Sequence, residues 1–88
     1  MDDIFSKYQL FNERVKLYND LKDRGFYVRM HAYEYIIGDY KKFKALILIE
    51  PFRNVVYVKV LDKNDEEAIK TIIQSIKSGD PQIRIVIF

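Results

Sequence analysis

One stretch of the chain places aromatic and basic side chains at alternate positions: Tyr27, Arg29, His31, Tyr33 and Tyr35. Alternate residues of an extended strand share a face. Such a face would stack bases on its rings and neutralise phosphates with its cations. The same alternation fits an amphipathic strand whose tyrosines pack under a helix and reach water with their hydroxyls. A second basic group, Lys41, Lys42 and Lys44 with Arg53, would make a phosphate patch if the turns that carry it come together. It reads better as a solvated, lysine-rich strand that resists edge-to-edge pairing. Lys59, two residues after Tyr57, completes the candidate nucleic-acid-binding residues. His31 alone fits an ordinary surface or half-buried histidine better than a ligand or base.

The acidic run Asp65, Glu66 and Glu67 stands where a helix would begin, and complementing the helix dipole accounts for it without a metal ion. No glycine-rich phosphate loop, nucleophile elbow or zinc-ligand spacing occurs. The chain has no cysteine and one histidine, which removes disulfides, a thiol nucleophile and a histidine metal site within one chain. No catalytic residue, metal or cofactor is therefore expected.

These residues need a scaffold, and 88 residues with 49% hydrophobic content make one domain, 1–88, with enough apolar surface for a core. The formal net charge of +2 excludes a strongly basic binder and leaves room only for a local patch. The start is acidic where a signal peptide is basic, and no apolar run reaches membrane-spanning length. A cytoplasmic protein with no membrane contact is expected. Abundant Ile, Lys and Tyr without Cys or Trp point to a heat-tolerant source.

The organising stretch is 44–61, read as two strands joined by a turn at Pro51 and Asn54. The apolar run at 45–49 lacks the alternation of a strand with one wet face, which predicts a central strand covered on both faces. Before it comes a helix over 6–24. Ser6 with Gln9 forms its capping-box pattern, Phe5 with Leu10 its hydrophobic staple, and Gly25 its left-handed stop. A single strand is predicted over 26–37, the next over 41–50 and the third over 54–61. Asn64 with Glu67 caps a second helix, whose Ile69, Ile72, Ile73 and Ile76 form a narrow stripe. A last strand over 82–88 should lie parallel to the third, as a crossover connection requires. The predicted class is α/β (α+β), of order α-β-β-β-α-β, a mixed four-stranded sheet with its helices on opposite faces. The double-stranded-RNA-binding fold has a similar order but both helices on one face.

This order, with Leu21 to Val28 leading out of the first helix, resembles the core of restriction-endonuclease-like nucleases and the C-terminal domain of tRNA-splicing endonucleases. The resemblance is one of topology and hydrophobic rhythm from Tyr18 onward. For the first group it implies an acid at the start of strand two and an acidic-x-Lys triplet on strand three, which hold an ion and stabilise developing charge. Here Ala45 and Leu46 stand where the first acid belongs, and Tyr57, Val58 and Lys59 match only the lysine. Asp39 and Glu50 flank strand two instead. The splicing-endonuclease pattern of Tyr, His and Lys lacks its positioning segments. The resemblance thus implies a non-catalytic nuclease-like module that binds nucleic acid or assembles with a nucleic-acid-processing partner. The alternatives are a metal-dependent nuclease using Asp39, Glu50 and Lys59 in displaced positions, or a pure protein-interaction subunit.

The last strand carries one further expectation. Ile83, Ile85 and Ile87 share one face, and Arg84, Val86 and Phe88 the other. A β-branched strand at a sheet edge with one charged deterrent invites pairing with another chain. A homodimer through Arg84, Ile85, Val86, Ile87 and Phe88 is predicted.

Overall fold

A computed structural model describes residues 5–88. The acidic start that bears on targeting, residues 1–4, lies outside the described residues. Among those described, no helix is long and apolar enough to cross a membrane.

The first predicted helix is divided. Ser6 caps a single 3-10 turn, Lys7–Gln9, its Oγ accepting the Tyr8 N–H at 3.0 Å. The backbone extends at Leu10, and helix α1 begins only at Phe11, running Phe11–Asp23. A distant residue holds the segment before the break. One Asp80 carboxylate oxygen accepts both the Ser6 hydroxyl at 2.6 Å and the Lys7 N–H at 3.0 Å, so the chain's entry is tied to the end of the second helix. The predicted staple does not form: Phe5 packs edge-on against Phe52 and Leu10 is exposed. Gly25 does stop α1, with φ +100°. Its N–H and that of Phe26 donate to the carbonyls of Lys22 and Leu21.

The strand expected over 26–37 is two strands, β1 (Tyr27–His31) and β2 (Glu34–Gly38), joined by Ala32 and Tyr33. The turn puts Ala32 at φ 54°, without the Gly or Asn such a turn usually uses. Then follow β3 (Phe43–Glu50), β4 (Val55–Val60), helix α2 (Glu66–Gly79) and β5 (Arg84–Ile87). The sheet thus has five strands rather than four, in chain order, antiparallel from β1 to β4 and parallel between β4 and β5. The class is α+β and the sheet is mixed, as read from the sequence. Asp65 caps α2, accepting the Ala68 N–H at 3.0 Å, in place of the predicted Asn64.

Helix positions correct the larger expectation. Leu17 and Leu21 of α1 join Ile72 and Ile76 of α2 in one core with Val28, Ile37, Ala45, Ile47 and Val58. The helices also touch, the Ser75 hydroxyl of α2 donating to Asp20 of α1, and the Tyr8 hydroxyl ties the 3-10 turn to α2 by donating to the Ile76 carbonyl at 2.6 Å. Both helices therefore cover one face of the sheet, and the arrangement with one helix on each face is not formed. Apolar residues on both sides of a strand do not bring a cover for both sides.

Candidate functional site

Strand register places the uncovered face. Across it run two rows: His31, Glu34, Leu48, Tyr57 and Val86, then Arg29, Ile36, Leu46 and Lys59. Ile36, Leu46 and Leu48, at the middle of the sheet, are 36%, 37% and 39% exposed. Their neighbours on the same strands, Ile37, Ala45 and Ile47, point into the core and are almost wholly buried. The result is a shallow apolar groove, lined by Ile36, Leu46, Leu48, Tyr57 and Phe88, with Lys59 and Glu34 at its margins. Contiguous apolar surface rimmed by polar groups is what a binding surface presents.

The sequence candidates divide across this frame. Tyr27, Arg29 and His31 are exposed on β1. Tyr33 and Tyr35 leave their company, because the turn at Ala32 and Tyr33 breaks the alternation. Tyr33 lies under the Arg14 guanidinium, whose carbon sits 4.0 Å from the ring centroid. Tyr35 is buried and donates its hydroxyl to the Arg14 carbonyl at 2.8 Å; burial pushes its pKa up. Arg14 itself donates to the carbonyls of Tyr8 and Gln9, so it pins the first 3-10 turn and the β1–β2 turn together. The sequence analysis did not single out Arg14.

Lys41 and Lys42 are exposed in the β2–β3 turn, held by their backbone N–H groups on the Asp39 carboxylate at 2.8 and 3.0 Å. Lys44 is not available to a phosphate. Its side chain is buried, and Nζ lies 2.7 Å from Asp62, 2.9 Å from Asp65 and 3.5 Å from Asp39. Hydrogen bonds to Asp62 and Asp65 raise the Lys44 pKa, and the bond to Lys44 is the largest influence lowering that of Asp62 and of Asp65. Asp39 is lowered first by the two backbone N–H groups it accepts. This ionic knot ties the start of β3 to the cap of α2. Arg53 is exposed at the opposite end of β3, 3.9 Å from Glu50, so the four basic residues do not form one patch. Asp39 and Glu50 likewise lie toward opposite ends of that strand, whose 8 residues span roughly 26 Å at 3.3 Å per residue.

Lys59 is exposed and makes no ion pair among the described residues; its Nζ lies 5.2 Å from the Phe88 ring centroid. Two aromatic residues that sequence reading missed, Tyr40 and Phe43, line a groove with Tyr27 beside the β2–β3 turn. Their signal was the run Tyr40-Lys41-Lys42-Phe43, which interleaves rings and cations as the 27–35 stretch does. The five residues expected at a dimer interface lie at the β5 edge: Arg84, Ile87 and Phe88 exposed, Ile85 and Val86 half-buried.

No protein-family model, curated protein or solved structure matches this chain.

Proposed function

We propose that this chain is a non-catalytic interaction module that docks a protein partner on the open face of its sheet. The exposure of Ile36, Leu46 and Leu48 at the sheet centre carries the reading. Aliphatic side chains gain by burial against other apolar side chains, whereas bases gain most from aromatic platforms. Charge narrows the partner. Arg29 and Lys59 border the patch against Glu34 at its margin, so the fitting surface is apolar with acidic margins. The nuclease resemblance supplies a partner class, a nucleic-acid-processing protein, within whose assembly this chain would be a subunit lacking its own metal carboxylates.

A specific observation favours a second reading. Tyr27, Tyr40 and Phe43 line one groove beside exposed Lys41 and Lys42, a combination that suits single-stranded nucleic acid. One experiment separates the two. A photo-crosslinking residue at Leu48 is expected to capture one defined partner from native extract, and the same group at Asn19, on exposed α1 surface, is not. Leu46→Glu should abolish the capture. Equal capture from both positions sinks the protein reading. A labelled single strand that binds with steep salt dependence, and loses binding in Tyr40→Ala, establishes the second instead.

A further inference from the structure

We propose that two copies of this chain join β5 to β5 in one particular antiparallel register, with Val86 on the two-fold axis. The inference begins with the backbone groups of the edge strand. In the parallel ladder, the Arg84 N–H donates to the Asn54 carbonyl and the Phe88 N–H to Val58, while the Phe88 carbonyl accepts from Val60. Alternation assigns Val86 to the same inward set. The N–H and C=O groups of Ile85 and Ile87 therefore point away from β4. Among the described residues no strand lies beyond β5 to receive them.

A two-fold axis perpendicular to the sheet has one register that uses all of these groups. Ile85 opposes the partner's Ile87, and Ile87 the partner's Ile85. Each is a narrow antiparallel pair that exchanges both hydrogen bonds. Shifting by one residue would oppose inward-pointing groups to outward ones, so the backbone itself selects the register.

Side chains agree with that selection. Arg84 falls opposite the partner's Phe88 on the open face, as a wide pair with side chains close together. The aliphatic stem of Arg84 then packs along the ring of a phenylalanine whose own chain already sets Lys59 over it, 5.2 Å from its centroid, and the guanidinium reaches past the ring to water. Val86 meets the partner's Val86 between these two pairs. The one charged residue on β5, read alone as a deterrent to pairing, becomes part of the contact. On the other face Ile87 lines a groove with Val60, Ile69 and Ile73 on the flank of α2, bordered by Lys63, Glu66 and Lys70. A strand pair this short is small for the roughly 1,200–2,000 Å² that specific interfaces bury, and this apolar flank of α2 supplies the further area.

The pair keeps all four helices on one side, since the axis is perpendicular to the sheet. Its sheet runs from β1 to β5 and on through the partner's β5 to its β1. The open face is doubled in width, so a partner docked there would be met by two patches in fixed relation.

Sedimentation at high micromolar concentration should give a dimer. Because the chain has no cysteine, Val86→Cys offers a clean test of register. Its sulfurs would face each other across the axis and should close a disulfide under mild oxidation. Arg84→Cys, on the same face but four positions from its own copy in this register, should not. Ile87→Pro removes an outward N–H while leaving the ladder to β4 complete, and it should weaken association by roughly thirtyfold while the chain stays folded. Three results overturn the proposal: a monomeric wild type, a dimer that Arg84→Cys links as readily as Val86→Cys, or a folded Ile87→Pro chain that associates undiminished. Leu46→Glu tests the docking face separately, because it should lose the partner and keep the dimer.

Discussion

Ile47 and Leu48 are adjacent on the central strand, similar in size, and opposite in environment, which makes them a direct test of which face is covered. Ile47 is 2% exposed beneath the helices and Leu48 is 39% exposed on the open side. Truncating Ile47 to alanine removes buried atoms and leaves a cavity, a loss of about 2–5 kcal/mol. Leu48→Ala removes atoms that are partly wet already, and water fills the space, so no cavity is left. At about 0.8 kcal/mol per buried CH₂, three carbons and partial cover give roughly 1.5 kcal/mol as a ceiling, and about 1 once a compact unfolded chain is allowed for. Unfolding entropy near 2.1 cal/mol/K per residue amounts to about 0.18 kcal/mol/K for this chain. A central 3 kcal/mol for Ile47→Ala then lowers Tm by about 16 °C, against about 5 °C for Leu48→Ala. Circular dichroism melts and urea titrations, run at a dilution where the chain is monomeric, measure both. Equal losses would refute the one-sided sheet and point to a second cover over Leu48.

Three further outcomes follow from local geometry. Lys44→Gln should destabilise the chain at neutral pH and make its stability less dependent on acid. Asp39, Asp62 and Asp65 titrate below their ordinary value in the folded chain, so their contribution is full above the unfolded carboxylate pKa and is lost as pH falls through the depressed values. The raised Lys44 pKa works oppositely, its contribution being full below the unfolded lysine value and lost only as pH rises through the folded one. Urea midpoints across the acid range for both chains would show the flattening, and parallel pH profiles would contradict it. Ala32→Gly should stabilise by about 0.5–1 kcal/mol, because the left-handed φ of 54° strains an alanine and not a glycine; a lower urea midpoint would disprove this. Gly79→Ala ordinarily strengthens a helix by about 1 kcal/mol. Here the added Cβ would collide with the Tyr8 hydroxyl that donates to Ile76, so the melting temperature should fall.

Much of the scaffold was legible because it rests on local chemistry. Gly25 could stop a helix wherever that helix packed, and the isoleucines of α2 fall on one face by their spacing alone. The β3–β4 hairpin and the parallel last strand were written in β-branched runs and in the length of the crossover. The turn at Ala32 and Tyr33 carries no turn residue, so it was invisible. Its local pairings, Val28–Ile37 and Met30–Tyr35, are joined by Arg14 of α1 lying over Tyr33, a contact from a separate segment of the chain. The segment before α1 is likewise held by Asp80, more than seventy residues away. The same holds for the candidate site. Exposed Tyr27, Arg29 and His31 could be read from alternation, but Lys44 looked like any basic residue until three carboxylates closed around it. Apolar residues at 45–49 announced two apolar faces on one strand. Only the packing of both helices on a single side decided that one of those faces is core and the other is surface, because hydrophobicity specifies what favours burial and not which element arrives to bury it.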